Sequence, residues 1–188
     1  MNEKQIYIIT GGPGFGKTQL IEELRKSGFR CSGEFARDLI ATHLQSDGEI
    51  LPWKNPNLFQ QEILNLRIAF FESVPDGMVA FADRGIPDQL AFARYHGFGA
   101  PEVLVQGALN YRYSSQVFVT PPWPEIFVND TIRTETYEEA VRIHQSVIDT
   151  YSDLNYQLIE LPLLSVAQRV KFLLQILQTK SGNSFSIY

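Results

Sequence analysis

The run Gly11-Gly12-Pro13-Gly14-Phe15-Gly16-Lys17-Thr18 constrains this chain more than any other stretch. It fits G-x-x-x-x-G-K-[ST], the pattern in which backbone amides cradle a phosphate. Each residue type has a task. The glycines let N–H groups turn inward without a Cβ clash. A helix opening at Lys17 adds free N–H groups and the positive end of its dipole. The flanks agree: a short apolar run, Ile6 to Thr10, leads in, and Leu20, Ile21 and Leu24 follow on one helical face. Gly12, Pro13, Gly14, Phe15, Gly16, Lys17 and Thr18 are therefore the candidate nucleotide contacts. Lys17 is placed to reach the β- and γ-phosphates, and the Thr18 hydroxyl to hold Mg²⁺.

Beyond the loop, strand and helix signals alternate. Short strands are expected at Gln5–Thr10, Phe29–Ser32, Met78–Ala82, Gln116–Thr120 and Gln157–Leu161. Met78–Ala82 is apolar throughout, as in a strand buried on both faces of a parallel sheet. Phe59, Ile63, Leu66 and Phe70 repeat at helical spacing, and Thr136–Glu139 and Ser165–Gln168 read as capping boxes. His144 falls on the apolar stripe of the helix that Thr136 opens and reads as a core histidine. The alternation calls for a three-layer α/β/α fold, a parallel five-stranded sheet with helices on both faces. Ligands of such folds sit beyond the carboxyl ends of the strands.

With 188 residues the chain reads as a single domain over 1–180 with a loose tail at 181–188. A net charge of -5 argues against a general nucleic-acid binder. The lone Cys31 allows no internal disulfide, which points to a reducing, cytoplasmic setting, and no apolar run is long enough for a membrane span. The sequence leaves the oligomeric state open.

Three further sites carry chemistry. Asp83, at the end of the Met78–Ala82 strand, occupies the position from which an acid holds Mg²⁺, and Arg84 beside it can neutralise phosphate. Glu34 follows the second strand and falls on the same edge as Lys17 and Asp83. A carboxylate there can take the proton of an attacking hydroxyl, with Arg37 one turn further on to pair with it or bind phosphate. The polar segment containing Asp130 and Arg133 can close as a lid and bring Arg133 onto the transferring phosphate, with Arg112 behind it. Pro121-Pro122-Trp123-Pro124 reads as a wall or lid anchor. Trp53, Asp88 and Arg112 complete the candidate substrate contacts, Asp88 also reading as a helix-start acid.

Taken together, Gly-Gly-Pro-Gly-x-Gly-Lys-Thr, Glu34-x-Ala36-Arg37, Leu51-Pro52-Trp53, Asp83-Arg84-Gly85-x-Pro87-Asp88, Tyr111-Arg112-Tyr113 and Pro121-Pro122-Trp123-Pro124-Glu125-Ile126 resemble the AAA-like ATPase family. That family is similar to the nicotinamide-riboside kinase domain of the bacterial NAD-biosynthesis regulator, and more distantly to deoxynucleoside and thymidylate kinases. The resemblance spans about Ile6 to Leu177. It implies a kinase-like P-loop fold with sheet order 2-3-1-4-5 and a lid, ATP and Mg²⁺ as cofactors, Glu34 as base, Asp83-Arg84 as the metal and phosphate pair, and Arg133 as lid arginine.

The expected activity is transfer of the γ-phosphate of Mg·ATP to a small acceptor, nucleoside-like compounds included. The alternative is an ATP- or GTP-hydrolysing switch that works through a protein or lipid partner. A monophosphate kinase, with Arg37 and Arg84 gripping the acceptor phosphate, is a third reading. No Asn-Lys-x-Asp pattern marks a guanine site, and the apolar stretch Pro162–Ser165 suits adenine, so ATP is preferred to GTP.

Overall fold

The computed structural model describes residues 4–128 and 135–181. Five strands, β1 (Gln5–Gly11), β2 (Arg30–Cys31), β3 (Val79–Asp83), β4 (Gln116–Thr120) and β5 (Gln157–Glu160), form one parallel sheet in the order β2-β3-β1-β4-β5. Seven helices connect and follow them among the described residues: α1 (Lys17–Lys26), α2 (Phe35–Gln45), α3 (Pro56–Ser73), α4 (Ile86–Tyr95), α5 (Glu102–Asn110), α6 (Tyr137–Asp153) and α7 (Val166–Ser181). This is the expected three-layer arrangement with the expected strand order. The element bounds fall within a few residues of those read from the sequence; α7 runs to Ser181 rather than ending near Gln178. Residues 182–188, most of the expected tail, lie outside the described residues.

The pleat divides the core. Ile6 and Ile8 of β1 join Ala80, Ala82, Val117 and Val119 beneath α3, α4, α5 and α6. Ile9, Phe81 and Phe118 face the other way, against Leu20, Ile21 and Leu24 of α1 and Leu173, Leu174 and Leu177 of α7. Successive side chains of a strand point to opposite faces, so apolar residues at consecutive positions are what a sheet covered on both sides requires. Thr136 caps α6 by accepting from the Glu139 amide at 3.2 Å while the Glu139 carboxylate accepts from the Thr136 amide at 2.7 Å, the capping box that the sequence pattern gave.

Register sets the site. Ile9 of β1 lies beside Asp83, the last residue of β3. Ser32, just past β2, accepts the Asp83 amide on its hydroxyl at 2.8 Å. The ends of β2, β3 and β1 are thus pinned at one edge, with the phosphate loop leaving β1 beside Asp83.

Candidate functional site

The phosphate loop runs from Gly11 into α1. Gly14 and Gly16 have φ of 79° and 78°, left-handed conformations that cost a residue with a Cβ energy. Space forbids a Cβ as well. One on Gly14 would stand 2.5 Å from the Phe127 ring, and one on Gly16 would stand 2.9 Å from Ile126 Cδ1. The segment after β4 is therefore seated on the loop through Ile126 and Phe127. Lys17 is 7 % exposed, and its Nζ donates to the Gly11 and Gly12 carbonyls at 3.2 and 2.6 Å. Gly12 in turn donates its amide to His144 Nδ1 at 3.3 Å. His144 is buried in α6, edge-on to Phe15. It is a core histidine, as expected, and also a direct prop of the loop.

Thr18, Glu34 and Asp83 form the next layer. The exposed Thr18 hydroxyl donates to Glu34 Oε2 at 3.0 Å. Asp83 is buried, and its Oδ1 has no hydrogen-bond partner. Burial pushes the Asp83 carboxyl up to about 6, against the pull of Lys17 and Arg84, with Glu34 and Asp88 adding to the rise. An unspent buried carboxylate oxygen on the Thr18 side of a phosphate loop suits a divalent cation. Among the described residues no three His, Cys, Asp or Glu converge into a protein-only metal cage. That donor set fits Mg²⁺, which takes one or two carboxylates and completes its shell with phosphate and water.

Behind this layer stands a buried ion pair. Asp88 is wholly buried. Its Oδ1 accepts from the Thr10 hydroxyl and from Arg84 Nη1, the latter at 2.9 Å, and its Oδ2 from the Gly85 amide at 2.8 Å and the Tyr151 hydroxyl at 2.6 Å. Burial alone would raise its pKa, but Arg84, Arg67 and the two hydroxyls hold the carboxyl below the usual carboxylate range. The Arg84 side chain is 14 % exposed, and Asp88 and Asp83 more than offset the cost of its partial burial, so its pKa lies above the ordinary value. Its backbone takes φ 66°, and Nη1 donates to the Gly11 carbonyl at 3.0 Å. A non-glycine residue held there is strained, and here it hangs the start of the phosphate loop on Asp88.

Several expected site residues stand elsewhere. Asp88 faces inward with its carboxylate fully engaged, so it frames the site rather than touching an acceptor. Arg112 precedes β4, and in a parallel sheet that is the edge opposite the phosphate loop. There it lies 4.1 Å over the Tyr156 ring and donates to the Leu154 carbonyl at 3.0 Å. Trp53 is 62 % exposed. Arg37 is half-buried on α2, one turn from Glu34. Asp130 and Arg133 lie outside the described residues.

Sequence reading passed over Arg67, Gln89 and Arg169, all buried. Arg67 makes no hydrogen bond through Nε or Nη1, and Gln89 accepts none at Oε1 while donating to the Gln60 carbonyl and amide oxygen at 2.9 and 2.8 Å. The signal for Arg67 was available. It continues the Phe59–Ile63 stripe at i+4, where a charge has no reason to be unless it has work inside.

These features define a P-loop protein of kinase-like fold. The chain belongs to an AAA domain family, whose model matches residues 6–169. Among solved structures it is similar to the NadR protein in complex with NR, at 16 % identity and a TM-score of 0.65, covering 97 % of this chain and 53 % of that one. It therefore spans about half the length of that protein. It is also similar to the deoxyadenosine kinase of M. mycoides, at 12 % identity and a TM-score of 0.66, covering 93 % of this chain and 99 % of that one. The thymidylate kinase of Candida albicans matches at 15 % identity and a TM-score of 0.61, covering 98 % and 97 %. At these identities the likeness is one of fold. No curated protein matches the chain in sequence.

Two predictions follow from the geometry. Asp88→Asn leaves buried Arg67 and part-buried Arg84 without the carboxylate they share, and stability in a denaturant melt falls by about 3–5 kcal/mol; a loss under about 1 kcal/mol would show that the carboxylate does not hold the frame. For His144, burial, Lys17 and Arg84 bring the pKa down from 6.5 to about 4. The folded protein then binds fewer protons than the unfolded chain between those values, so the neutral-histidine contribution is complete above the upper one and is lost as pH falls to the lower. The Tm of the wild type should drop relative to His144→Gln across that window, and a constant difference would contradict it.

Proposed function

We propose that this protein is an ATP-dependent phosphotransferase that moves the γ-phosphate of Mg·ATP to a hydroxyl of a small, nucleoside-like acceptor. The observation that carries this reading is the carboxylate of Glu34, hydrogen-bonded to the Thr18 hydroxyl beside buried Asp83. A hydrolytic switch needs the phosphate loop and a metal acid. A base at the γ-phosphate end can serve attacking water as well as an acceptor hydroxyl; the buried, unpartnered polar atoms of Arg67 and Gln89 are what favour transfer to a polar acceptor.

In this scheme the amides of Gly12–Thr18 hold the phosphates, and Lys17 exchanges the Gly11 and Gly12 carbonyls for phosphate oxygens. Thr18 and Asp83 would hold Mg²⁺, which would supply charge neutralisation to the phosphates. Glu34 takes the proton of the acceptor hydroxyl. Arg84, anchored through Nη1, brings positive charge to the same edge, and Arg37 stands on the acceptor side. The unspent polar atoms of Arg67 and Gln89, on the helices α3 and α4 that follow β2 and β3, offer an acceptor both hydrogen-bond donors and an acceptor atom. This favours a polar molecule over an aliphatic alcohol. The nucleoside and nucleotide kinases among the structural neighbours support the choice of acceptor class by likeness of fold.

The test is a product screen with γ-labelled ATP against a library of nucleosides and other hydroxyl metabolites. Glu34→Gln is expected to lower the transfer rate by about 10²-fold or more, the usual range for a general base, while ATP still binds. An unchanged rate would remove Glu34 as the base. Turnover of ATP to free phosphate with no acceptor used would support the switch instead.

A further inference from the structure

Arg169 lies close to the N-terminal end of α7, where the helix dipole disfavours a cation, and it is 2 % exposed. A buried guanidinium ordinarily keeps a carboxylate near it, because an uncompensated charge in the interior is costly. Arg67 and Arg84 share Asp88 in this way. Among the described residues no carboxylate pairs with Arg169, and its Nε has no hydrogen-bond partner. Burial is the one influence on its pKa, which it lowers.

What Arg169 does touch is informative. Its guanidinium lies 5.4 Å over the Trp123 ring. Its Nη1 and Nη2 stand 3.1 and 3.4 Å from the point where a Cβ on Gly16 would be, and Ile126 Cδ1 stands 2.9 Å from the same point. Gly16 is the residue before Lys17 in the phosphate loop. A buried cation therefore lies beside the loop and over the Trp123 ring, with an apolar side chain next to it and no counter-charge among the described residues. A low-dielectric setting of this kind strengthens attraction to an incoming anion, and the planar fork of arginine matches phosphate oxygens.

We propose that Arg169 is a ligand of the polyphosphate of the bound nucleotide, supplied to the phosphate loop from α7, and that Trp123 fixes the plane of its guanidinium. The proposal rests on the reading of Gly11–Thr18 as the donor-nucleotide site and adds to it a further cation from α7, beside Gly16. The anion enters as the missing partner. A base alone would not answer the charge.

The test is an equilibrium titration of the full chain with Mg·ATP, Mg·ADP and adenosine. Arg169→Met should weaken ATP and ADP binding about ten- to hundredfold, the worth of one or two charge-assisted hydrogen bonds, and change adenosine binding less than about twofold. Arg169→Lys, which keeps the charge and loses the fork, should fall between. Equal ATP affinity in wild type and Arg169→Met would overturn the assignment, as would equal losses for ATP and adenosine. If the wild type binds no nucleotide, the phosphate-loop reading itself fails and this inference goes with it. Should Arg169→Met not fold, the wild type still decides. Its Arg169 Nε–Hε correlation, identified by its absence from Arg169→Lys, should shift on adding Mg·ADP, and an unmoved signal would overturn the proposal.

Discussion

The buried carboxylate of Asp88 is the constraint on which the site depends. Four donors from separate parts of the chain converge on it: the Thr10 hydroxyl at the end of β1, the Gly85 amide and Arg84 guanidinium after β3, and the Tyr151 hydroxyl on α6. Because the group is wholly buried, none of these can be traded for water, and loss of one partner strands the rest. Arg84 passes the constraint on. Its Nη1 bonds Asp88 and the Gly11 carbonyl together, so the first residue of the phosphate loop is fixed to the turn that carries Asp83. The left-handed backbone at Arg84 is the cost of that link.

The rest of the loop is held from outside. His144 accepts the Gly12 amide, Phe127 packs on Gly14, and Ile126 and Arg169 pack on Gly16. These residues come from α6, from the segment after β4 and from α7. The loop is thus shaped by contacts distant in sequence as well as by its own glycines. Pre-organisation of this sort lets a ligand bind without first having to order the backbone.

Much of this was legible in the chain. Gly11–Thr18 follows from local chemistry: the glycines, the lysine and the strand and helix around them leave little choice. Asp83 was readable because an acid after an unbroken apolar strand must come out at a sheet edge. The alternation of elements gave the layered fold, while the order of strands came with the family resemblance, since nothing in a single strand says which neighbour it will take. Arg112 was misplaced because spacing along the chain does not reveal which edge of the sheet a residue reaches; lying just before β4 sends it to the far one. Asp88 shows a different limit. Its reading as a helix-start acid holds, since it accepts the Gly85 amide at the start of α4, but only the convergence of Thr10, Tyr151 and Arg84 shows that it is buried. His144 was correctly read as core, but its Nδ1 had to be seen against Gly12 before it counted as part of the site. Arg169 left a clue, a cation near the positive end of its helix, that means something only once Gly16 stands beside it.

The most direct measurement is a crystal structure of the protein with Mg²⁺ and a non-hydrolysable ATP analogue. The account predicts phosphates within the amides of Gly12–Thr18, the metal between Thr18 and Asp83, and the Glu34 carboxylate facing the γ-phosphate with room for an acceptor hydroxyl. A nucleotide bound elsewhere, or a metal that leaves Asp83 Oδ1 without a partner, would contradict it.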